Sequence, residues 1–240
     1  MEFSPIRFDD IDENLKIQVG HLTVPLSLVF RELQHRVTDS RWQRIQSVVE
    51  NRCFNIQSVF ENIYDLGNMS AAMRSAEAFG FYNFHVIDQP SGQFKAANRI
   101  SLGSEKWLQI KRHKNAKQCV EDLKGQGFKI YATHLDASTP FSQIDFSEPS
   151  AVVFGNEKDG VSKEMMDLVD NNVVIPLYGF TQSLNLSVAA AIGFYMIHTQ
   201  RTQKLGKSAD LNNQQKLELY AKYLVNSFPR PEVYFKRYLK

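Results

Sequence analysis

Short apolar runs alternate with helical stretches through the middle of the chain. Apolar residues within 56–63 end at the turn residues 65–68, and helix-forming residues follow over 69–79. A second apolar run, residues 84–87, begins after Gly80, which suits the left-handed position that often follows a helix. Apolar runs of this length, bounded by turn residues, are typical of strands. The segment therefore predicts a strand, a helix and a second strand.

The same alternation continues toward the C-terminus. Residues 151–154 are apolar throughout, as expected for a strand of a parallel sheet that is covered on both faces. The remaining elements predicted from the pattern are helices over residues 115–124, 162–169 and 183–198 and strands over residues 128–133 and 173–175. Strands that alternate with helices of this length favour an α/β domain, with a largely parallel sheet and helices on both faces.

Both ends of the chain have a helical pattern instead. Apolar residues at three- and four-residue spacing predict two helices within residues 15–53, and residues 211–228 predict a further amphipathic helix. We therefore divide the chain into a helical N-terminal extension (1–53), the α/β domain (54–203) and a helical C-terminal extension (204–240). The C-terminal tail mixes aromatic and basic side chains, which suits either a packed segment or a surface that stacks on RNA.

The amino-acid composition is consistent with these fold predictions. Hydrophobic residues make up 43% of the chain and charged residues 22%, as in an average globular protein. The longest uncharged stretch, residues 187–197, is about half of the ~20 residues that a membrane span needs, and residues 1–10 do not resemble a signal peptide. We expect no membrane span and a cytoplasmic location. A net charge of +2 permits an RNA partner without requiring one.

The sequence lacks the signatures of several common sites. Cys53 and Cys119 are far apart, which argues against a zinc ribbon or a disulfide framework, so we expect two buried thiols. The six histidines are scattered with none at metal-ligand spacing, and we expect no metal site. There is no GxGxxG motif, P-loop, HExxH or GxSxG. Rossmann dehydrogenases, P-loop NTPases, zinc proteases and α/β-hydrolases are therefore disfavoured.

Polar residues stand where three of the predicted strands end. In α/β sheets ligands bind outside the carboxyl ends of the strands, so these residues are candidates for a site. Each also has a simpler explanation: an arginine can be a surface charge, a carboxylate beside glycines can belong to a turn, and Ser or Asn can cap the following helix. The residues are Asn68 and Arg74 in the first loop, Gly155 and Glu157 in the second, and Ser183 and Asn185 in the third.

The order and spacing of these loops resemble the SpoU/TrmH family of RNA 2′-O-ribose methyltransferases, within the SPOUT superfamily. The first family motif is similar to NIYDLGNMSAAMRSAEAFG at residues 62–80, the second to VFGNEKDGVS at residues 153–162, and the third to IPLYGFTQSLNLSVAAA at residues 175–191. The resemblance covers roughly residues 57–200. The linking segments 103–108 and 131–135 are similar to the branch that modifies guanosine in the D-loop of tRNA.

The resemblance implies a fold whose C-terminal part forms a deep trefoil knot, and a homodimer that completes each site. It implies S-adenosylmethionine as the cofactor and RNA as the substrate. It favours tRNA over rRNA, because residues 1–53 are short and helical where rRNA enzymes of the family commonly carry an extra RNA-binding domain. By position, the residues expected to contact the cofactor are Thr133, Gly155, Ile175 and Leu184.

The resemblance places the chemistry at Arg74. The cofactor's methyl group is already electrophilic, so the protein mainly has to align the ribose 2′-oxygen and ease the loss of its proton. A guanidinium beside this oxygen would stabilise developing negative charge, whereas a group that is always charged is a poor base. Asn68 and Glu157 would position Arg74 or the nucleotide, and Ser183 and Asn185 would shape the third loop.

Three alternatives stay open from the sequence. The first is an rRNA 2′-O-methyltransferase of the same family. The second is an RNA-binding protein that keeps this fold without catalysis, which the presence of all five candidate catalytic residues disfavours. The third is an unrelated α/β enzyme for which the match of the three loops is a coincidence; it would bind an adenosyl cofactor without methylating RNA.

Overall fold

A computed structural model describes residues 11–87 and 103–238. Residues 53–210 form one compact unit, and residues 11–52 together with 211–238 form a second, smaller one. The segment 1–10, which we predicted not to be a signal peptide, lies outside the described residues. Over the ranges that are described, no helix is both long and apolar enough to cross a membrane.

Strands and helices alternate along most of the described chain. The strands are β1 (Lys16–Val19), β2 (Leu22–Pro25), β3 (Cys53–Glu61), β4 (Phe81–Ile87), β5 (Gln109–His113), β6 (Lys129–Thr133), β7 (Thr139–Pro140), β8 (Ser150–Phe154) and β9 (Asn171–Val174). The helices are α1 (Leu26–Leu33), α2 (Asp39–Glu50), α3 (Leu66–Ala78), α4 (Ala116–Gly125), α5 (Lys163–Leu168), α6 (Leu186–Leu205) and α7 (Asn213–Val225). The predicted elements of the α/β region are therefore present, with ends shifted by a few residues.

The larger unit is built on a parallel sheet. Of the described strands, seven form this sheet in the order β5-β4-β3-β8-β6-β9-β7, and all of their pairings are parallel. The prediction of a largely parallel sheet is confirmed. Strands β5 and β7 were not predicted, because β5 is a mostly polar edge strand and β7 has only two residues.

Alternate residues of the central strands point to opposite faces of the sheet and build two cores. On one face, Ile56 and Phe60 of β3 pack with α3 and α6, including Phe194. On the other face, Val59 packs with α4 and α5, including Val120. Helices thus cover both faces, as predicted, and β8 at the centre is buried at every position.

The smaller unit corrects part of the N-terminal prediction. Helices α1 and α2 occur within residues 15–53, but β1 and β2 form an antiparallel hairpin where we predicted helix. Gly20 has φ +62°, a left-handed conformation that suits the two-residue turn between the strands. Val19 and Val24, both buried, anchor the hairpin. The prediction was wrong here because four-residue strands are too short to show a clear two-residue period.

The aromatic and basic tail packs within the smaller unit. Phe235 is fully buried. Glu32 accepts hydrogen bonds from the Arg237 guanidinium and from the Tyr238 hydroxyl. Arg31 and Arg237 both lie over the ring of Tyr238, with guanidinium carbons 5.0 and 4.6 Å from its centroid. Of the two possibilities considered, the tail is therefore a packed segment as far as residue 238. Residues 239–240 lie outside the described ranges.

The larger unit extends past residue 203, where we placed its boundary. Arg201, which is 1% exposed, donates to Asp210 Oδ2 at 2.8 Å. Asp210 also accepts from the backbone N–H groups of Phe54 and Asn55, at 2.6 and 3.1 Å. Burial, and then the Asp210 carboxylate, raises the pKa of the Cys53 thiol, which donates to the same carboxylate. These contacts fasten the chain as far as residue 210 to the start of β3.

Two helices next to the candidate residues begin at positions different from those predicted. We expected Asn68 to open the helix after β3, but α3 begins earlier and Asp65 is its N-cap, accepting from two backbone N–H groups of the first turn. The last helix of the sheet domain begins after Asn185 rather than at residue 183, with Asn185 as its N-cap. The side chain of Asn68 is consequently not used as a cap.

Candidate active site

Loops at the carboxyl ends of three neighbouring strands surround one cavity of the larger unit. Strands β8, β6 and β9 lie side by side in the sheet, so the residues that follow them meet at one edge. The cavity has a volume of about 420 Å³, within the range of about 300–1,000 Å³ that is usual for small-molecule sites. All four residues predicted to contact the cofactor line it: Thr133, Gly155, Ile175 and Leu184.

The second loop, which follows β8, is held by its own backbone. Asn156 and Gly160 exchange two backbone hydrogen bonds of 3.1 Å. The side-chain oxygen of Asn156 accepts from the N–H groups of Lys158 and Asp159, at 2.9 and 2.7 Å. A β-carbon at Gly155 would lie 2.0 Å from the carbonyl carbon of Gly160. Glycine is therefore needed for the loop's own close approach, in addition to any approach by a ligand.

We expect Gly155→Ala to distort the cavity. Its methyl group would meet backbone atoms at 2.0–2.2 Å, and these can move only if the whole loop moves. Binding of S-adenosylmethionine, measured by calorimetry, should weaken at least about tenfold, or about 1.4 kcal/mol. Gly179→Ala is the matched control, because no atom lies within 4 Å of a β-carbon at that position. Equal losses in the two variants would contradict this expectation.

Asn68 of the first loop joins the other two loops. Its side-chain N–H donates to Glu157 Oε1 at 2.6 Å, and its side-chain oxygen accepts from Asn185 Nδ2 at 3.0 Å. Asn185 is itself oriented, because its oxygen accepts from the backbone N–H and the hydroxyl of Ser187. The structure therefore brings together three of the five predicted catalytic residues, one from each motif.

The other two predicted catalytic residues, Ser183 and Arg74, are placed differently. Ser183 is exposed and lines the cavity. Arg74 is exposed on α3 and is not among the residues that line the cavity in the described part of the chain. It follows Asn68 by six positions, which at 3.6 residues per turn places it about 240° further around the helix axis. Arg74 and Asn68 therefore point in different directions from the same helix.

Sequence reasoning missed two parts of this region. His134, Leu135 and Asp136 follow β6 and line the cavity. His134 and Asp136 are polar residues at the end of a strand, which is the same pattern that identified the other loops. Glu61, 2% exposed at the end of β3, accepts from the backbone N–H and the hydroxyl of Ser162, at 2.8 and 2.7 Å. A carboxylate at the end of an otherwise apolar strand is the sequence feature that could have identified Glu61.

Comparison with known proteins gives a family match over the same region. The model of the SpoU rRNA Methylase family matches residues 55–195, a range that holds all three motif loops. The chain belongs to the SpoU rRNA methylase family. The resemblance inferred from the motifs is thereby confirmed, and the cavity is formed by residues inside the matched range.

Relatives of this SpoU family member include tRNA-modifying enzymes. A tRNA (guanosine(18)-2'-O)-methyltransferase of Thermus thermophilus is 36% identical over 192 residues, 79% of this chain and 96% of the relative. The crystal structure of the A. aeolicus TrmH/SpoU tRNA modifying enzyme has a TM-score of 0.72 and 32% identity, covering 78% of this chain and 95% of that one. AviRb from Streptomyces viridochromogenes, solved in complex with AdoMet, has a TM-score of 0.55 and 25% identity, covering 63% and 59%.

Proposed function

We propose that this SpoU family member is an S-adenosylmethionine-dependent methyltransferase that acts on the ribose 2′-hydroxyl of a guanosine in the D-loop of tRNA. The observation that carries the proposal is that the second and third motif loops line one cavity and that Asn68 of the first motif is hydrogen-bonded to both of them. The name of the Thermus relative supports the tRNA substrate. Its 96% coverage by this chain supports transfer of the whole activity rather than of one domain.

The cavity suits the proposed cofactor. Ile175, Leu177 and Leu186 give it apolar walls for a planar base, and residues 155–160 of the loop after β8 form another part of its wall. The hydroxyl of Thr133 donates to the Val153 carbonyl at 3.0 Å, so a contact from this residue would use its backbone or methyl group. S-Adenosylmethionine would supply an electrophilic methyl group on a positively charged sulfur. The AdoMet complex of the AviRb relative supports this choice.

We assign distinct roles to the five candidate catalytic residues. Arg74 would stabilise negative charge that develops on the 2′-oxygen as its proton is lost, since guanidinium groups pair well with oxyanions and neighbouring phosphates. Asn68 and Glu157 would position the nucleotide through their 2.6 Å hydrogen bond. Asn185 would hold Asn68 in place from the start of α6, and Ser183 would contact the ribose or cofactor from the cavity wall.

We propose that Arg74 acts on the cavity of a second copy of this chain in a homodimer. Its direction on α3, about 240° from Asn68, fits a contact across an interface better than a contact with its own cavity. Large apolar side chains exposed on the third loop and along α6 suit such an interface: Tyr178, Phe180, Val188 and Tyr195 are 97%, 107%, 45% and 58% exposed. Val188 and Tyr195 are seven residues apart and so lie on one side of α6.

We also propose that residues 53–210 form a knotted methyltransferase domain, flanked by extensions at each end of the chain. Strand β9 pairs with both β6 and β7, and β8 pairs with both β3 and β6. Later strands are thus inserted between earlier ones, as a chain threaded through its own connection would produce. A knot would be an exception to the usual rule for α/β folds. The cytoplasmic location stays a prediction.

The proposed activity is tested by incubating the full chain with labelled S-adenosylmethionine and either total tRNA or rRNA, then digesting the RNA to nucleosides. We expect the label in 2′-O-methylguanosine from tRNA. A tRNA with 2′-deoxyguanosine at the D-loop position is the matched control, because it lacks the acceptor oxygen and should stay unlabelled. Label only in rRNA would identify rRNA as the substrate, and cofactor binding without any RNA methylation would contradict the proposed activity.

A further inference from the structure

Three potential metal ligands meet on the face of the sheet that α4 covers. His85 on β4, His113 at the end of β5 and Cys119 on α4 are 5%, 2% and 1% exposed. Their ligand atoms all lie within 4.8 Å of one another. None of the three lines the cavity described above. The expectation of no metal site from the sequence missed this cluster, because the three residues come from separate elements and meet only after the sheet has formed.

The hydrogen bonds of Gln57 fix which nitrogen of His85 carries a proton. The side-chain N–H of Gln57 donates to the Phe54 carbonyl at 2.7 Å, which orients the amide so that its oxygen faces His85. That oxygen is 2.8 Å from His85 Nε2 and can only accept a hydrogen bond. A neutral His85 is therefore protonated on Nε2, and the lone pair on Nδ1 points away from Gln57.

The lone pair of His85 points at the second histidine. His85 Nδ1 and His113 Nε2 are 2.8 Å apart, and the two rings are nearly parallel, with 14° between their planes. The other nitrogen of His113, Nδ1, is 3.5 Å from the Asp122 carboxylate, which also can only accept. If His113 presents its proton to Asp122, two lone pairs face each other at 2.8 Å and a cation is needed between them.

We propose that His85, His113 and Cys119 bind a zinc ion. A proton could bridge the two nitrogens, but it would leave the Cys119 sulfur, the third converging donor, without a role. Imidazole nitrogens and a thiolate are the ligands that zinc prefers, and the outer nitrogens of zinc-bound histidines usually donate to a carboxylate or carbonyl oxygen. Gln57 is in this outer position for His85, at 2.8 Å. The Asp122 carboxylate lies 3.5 Å from the outer nitrogen of His113, which makes no hydrogen bond within the described part of the chain, so a small movement would bring it into the same role.

Zinc binding would require a small local movement and would join three elements. Nitrogens at about 2.0 Å from a tetrahedral ion lie about 3.3 Å apart, so the 2.8 Å gap between the rings would have to widen by about half an ångström. The ion would tie the edge strand β5 to β4 and α4. This role is structural and does not depend on the proposed methyltransferase activity.

The site is tested with the full chain, prepared without a histidine tag and stripped of metal by a chelator. Zinc is then added, and bound metal per chain is measured after gel filtration. Cobalt replaces zinc in a parallel sample to report a thiolate ligand through its near-ultraviolet charge-transfer band. We expect one equivalent of either metal and a clear thiolate band in the unaltered protein.

Two cysteine variants locate the metal. Cys119→Ser should lose the thiolate band and bind zinc at least about tenfold more weakly. Cys53→Ser is the matched control, because Cys53 is also buried but donates to Asp210, and its band and stoichiometry should be unchanged. Absence of bound metal in the unaltered protein, absence of the thiolate band from its cobalt form, or loss of the band in Cys53→Ser would each overturn the proposal. The first two measurements need no variant to fold.

Discussion

Replacing Arg74 with alanine should lower the rate of methyl transfer to RNA by about 100- to 1,000-fold, the usual effect of removing one group that stabilises charge in a transition state. Arg74 does not line the cavity among the described residues, so the affinity for S-adenosylmethionine should not change. Single-turnover methylation of tRNA and calorimetric titration of the cofactor measure the two effects separately. Full transfer activity in this variant would show that Arg74 does not stabilise the transition state.

Two control variants separate the charge of Arg74 from its geometry. Arg74→Lys keeps the charge but loses the planar fork that can contact two oxygens, so only part of the rate should return. Lys117→Ala removes an exposed charge from α4, where Lys117 pairs with Glu121 at 3.9 Å. It should leave the transfer rate unchanged. A similar loss in Lys117→Ala would indicate a general effect of positive charge on RNA binding.

Mixed dimers test whether Arg74 acts across the proposed interface. At a cofactor concentration that fills only the unaltered cavity, Arg74→Ala and Gly155→Ala chains should each have little activity alone, one for lack of Arg74 and the other because its cavity binds the cofactor weakly. If Arg74 serves the partner's cavity, each mixed dimer of a two-fold interface holds one intact site, and an equal mixture should recover about a quarter of the full activity. Recovery of no activity would place Arg74 and the cavity in the same chain.

The position of the cavity could be predicted from the sequence because its loops follow a general rule of α/β sheets. Ligands bind beyond the carboxyl ends of neighbouring strands, and this rule selected Gly155 directly from the sequence. The family resemblance implied the full set of expected cofactor contacts, which are Thr133, Gly155, Ile175 and Leu184. All four residues line the cavity.

Contacts between motifs could not be predicted from the same pattern. Asn68 and Glu157 are 89 positions apart, and their hydrogen bond depends on the placement of α3 against the loop after β8. Asn68 looked like the residue that opens a helix, and only the cap made by Asp65 shows that its side chain has another use. The direction of Arg74 likewise depends on where α3 begins, which sequence patterns locate only to within a few residues.

Polar contacts in the core between distant parts of the chain could not be predicted from the sequence either. The histidine pair forms because parallel pairing of β4 with β5 places His85 opposite Lys111 and Ile87 opposite His113. Since β5 is a polar edge strand, its apolar pattern is weak and it was not predicted at all. Likewise, Asp210 lies in a segment without helix or strand, so nothing in its neighbourhood indicated that it anchors the start of β3.

Replacing Asp210 with alanine should destabilise the larger unit by about 3–5 kcal/mol, the usual cost of removing one partner of a buried ion pair. Arg201 would keep the Phe146 carbonyl, at 2.7 Å, as a hydrogen-bond acceptor but would lose its counter-charge. The backbone N–H groups of Phe54 and Asn55 would also lose their acceptor. The predicted loss is large because Arg201 is 1% exposed and has little access to water that could replace the carboxylate.

Urea unfolding can measure this loss in the larger unit alone. The chain has two tryptophans, and Trp107 lies in the larger unit while Trp42 lies in the smaller one. In a Trp42→Phe background, fluorescence therefore reports the larger unit. Lys204→Ala is the matched control: Lys204 pairs with Asp145 from the same helix as Arg201, but both side chains are about half exposed, at 48% and 53%. It should cost about 0–1 kcal/mol, and equal losses in the two variants would show that the Asp210 contacts do not hold the end of this unit in place.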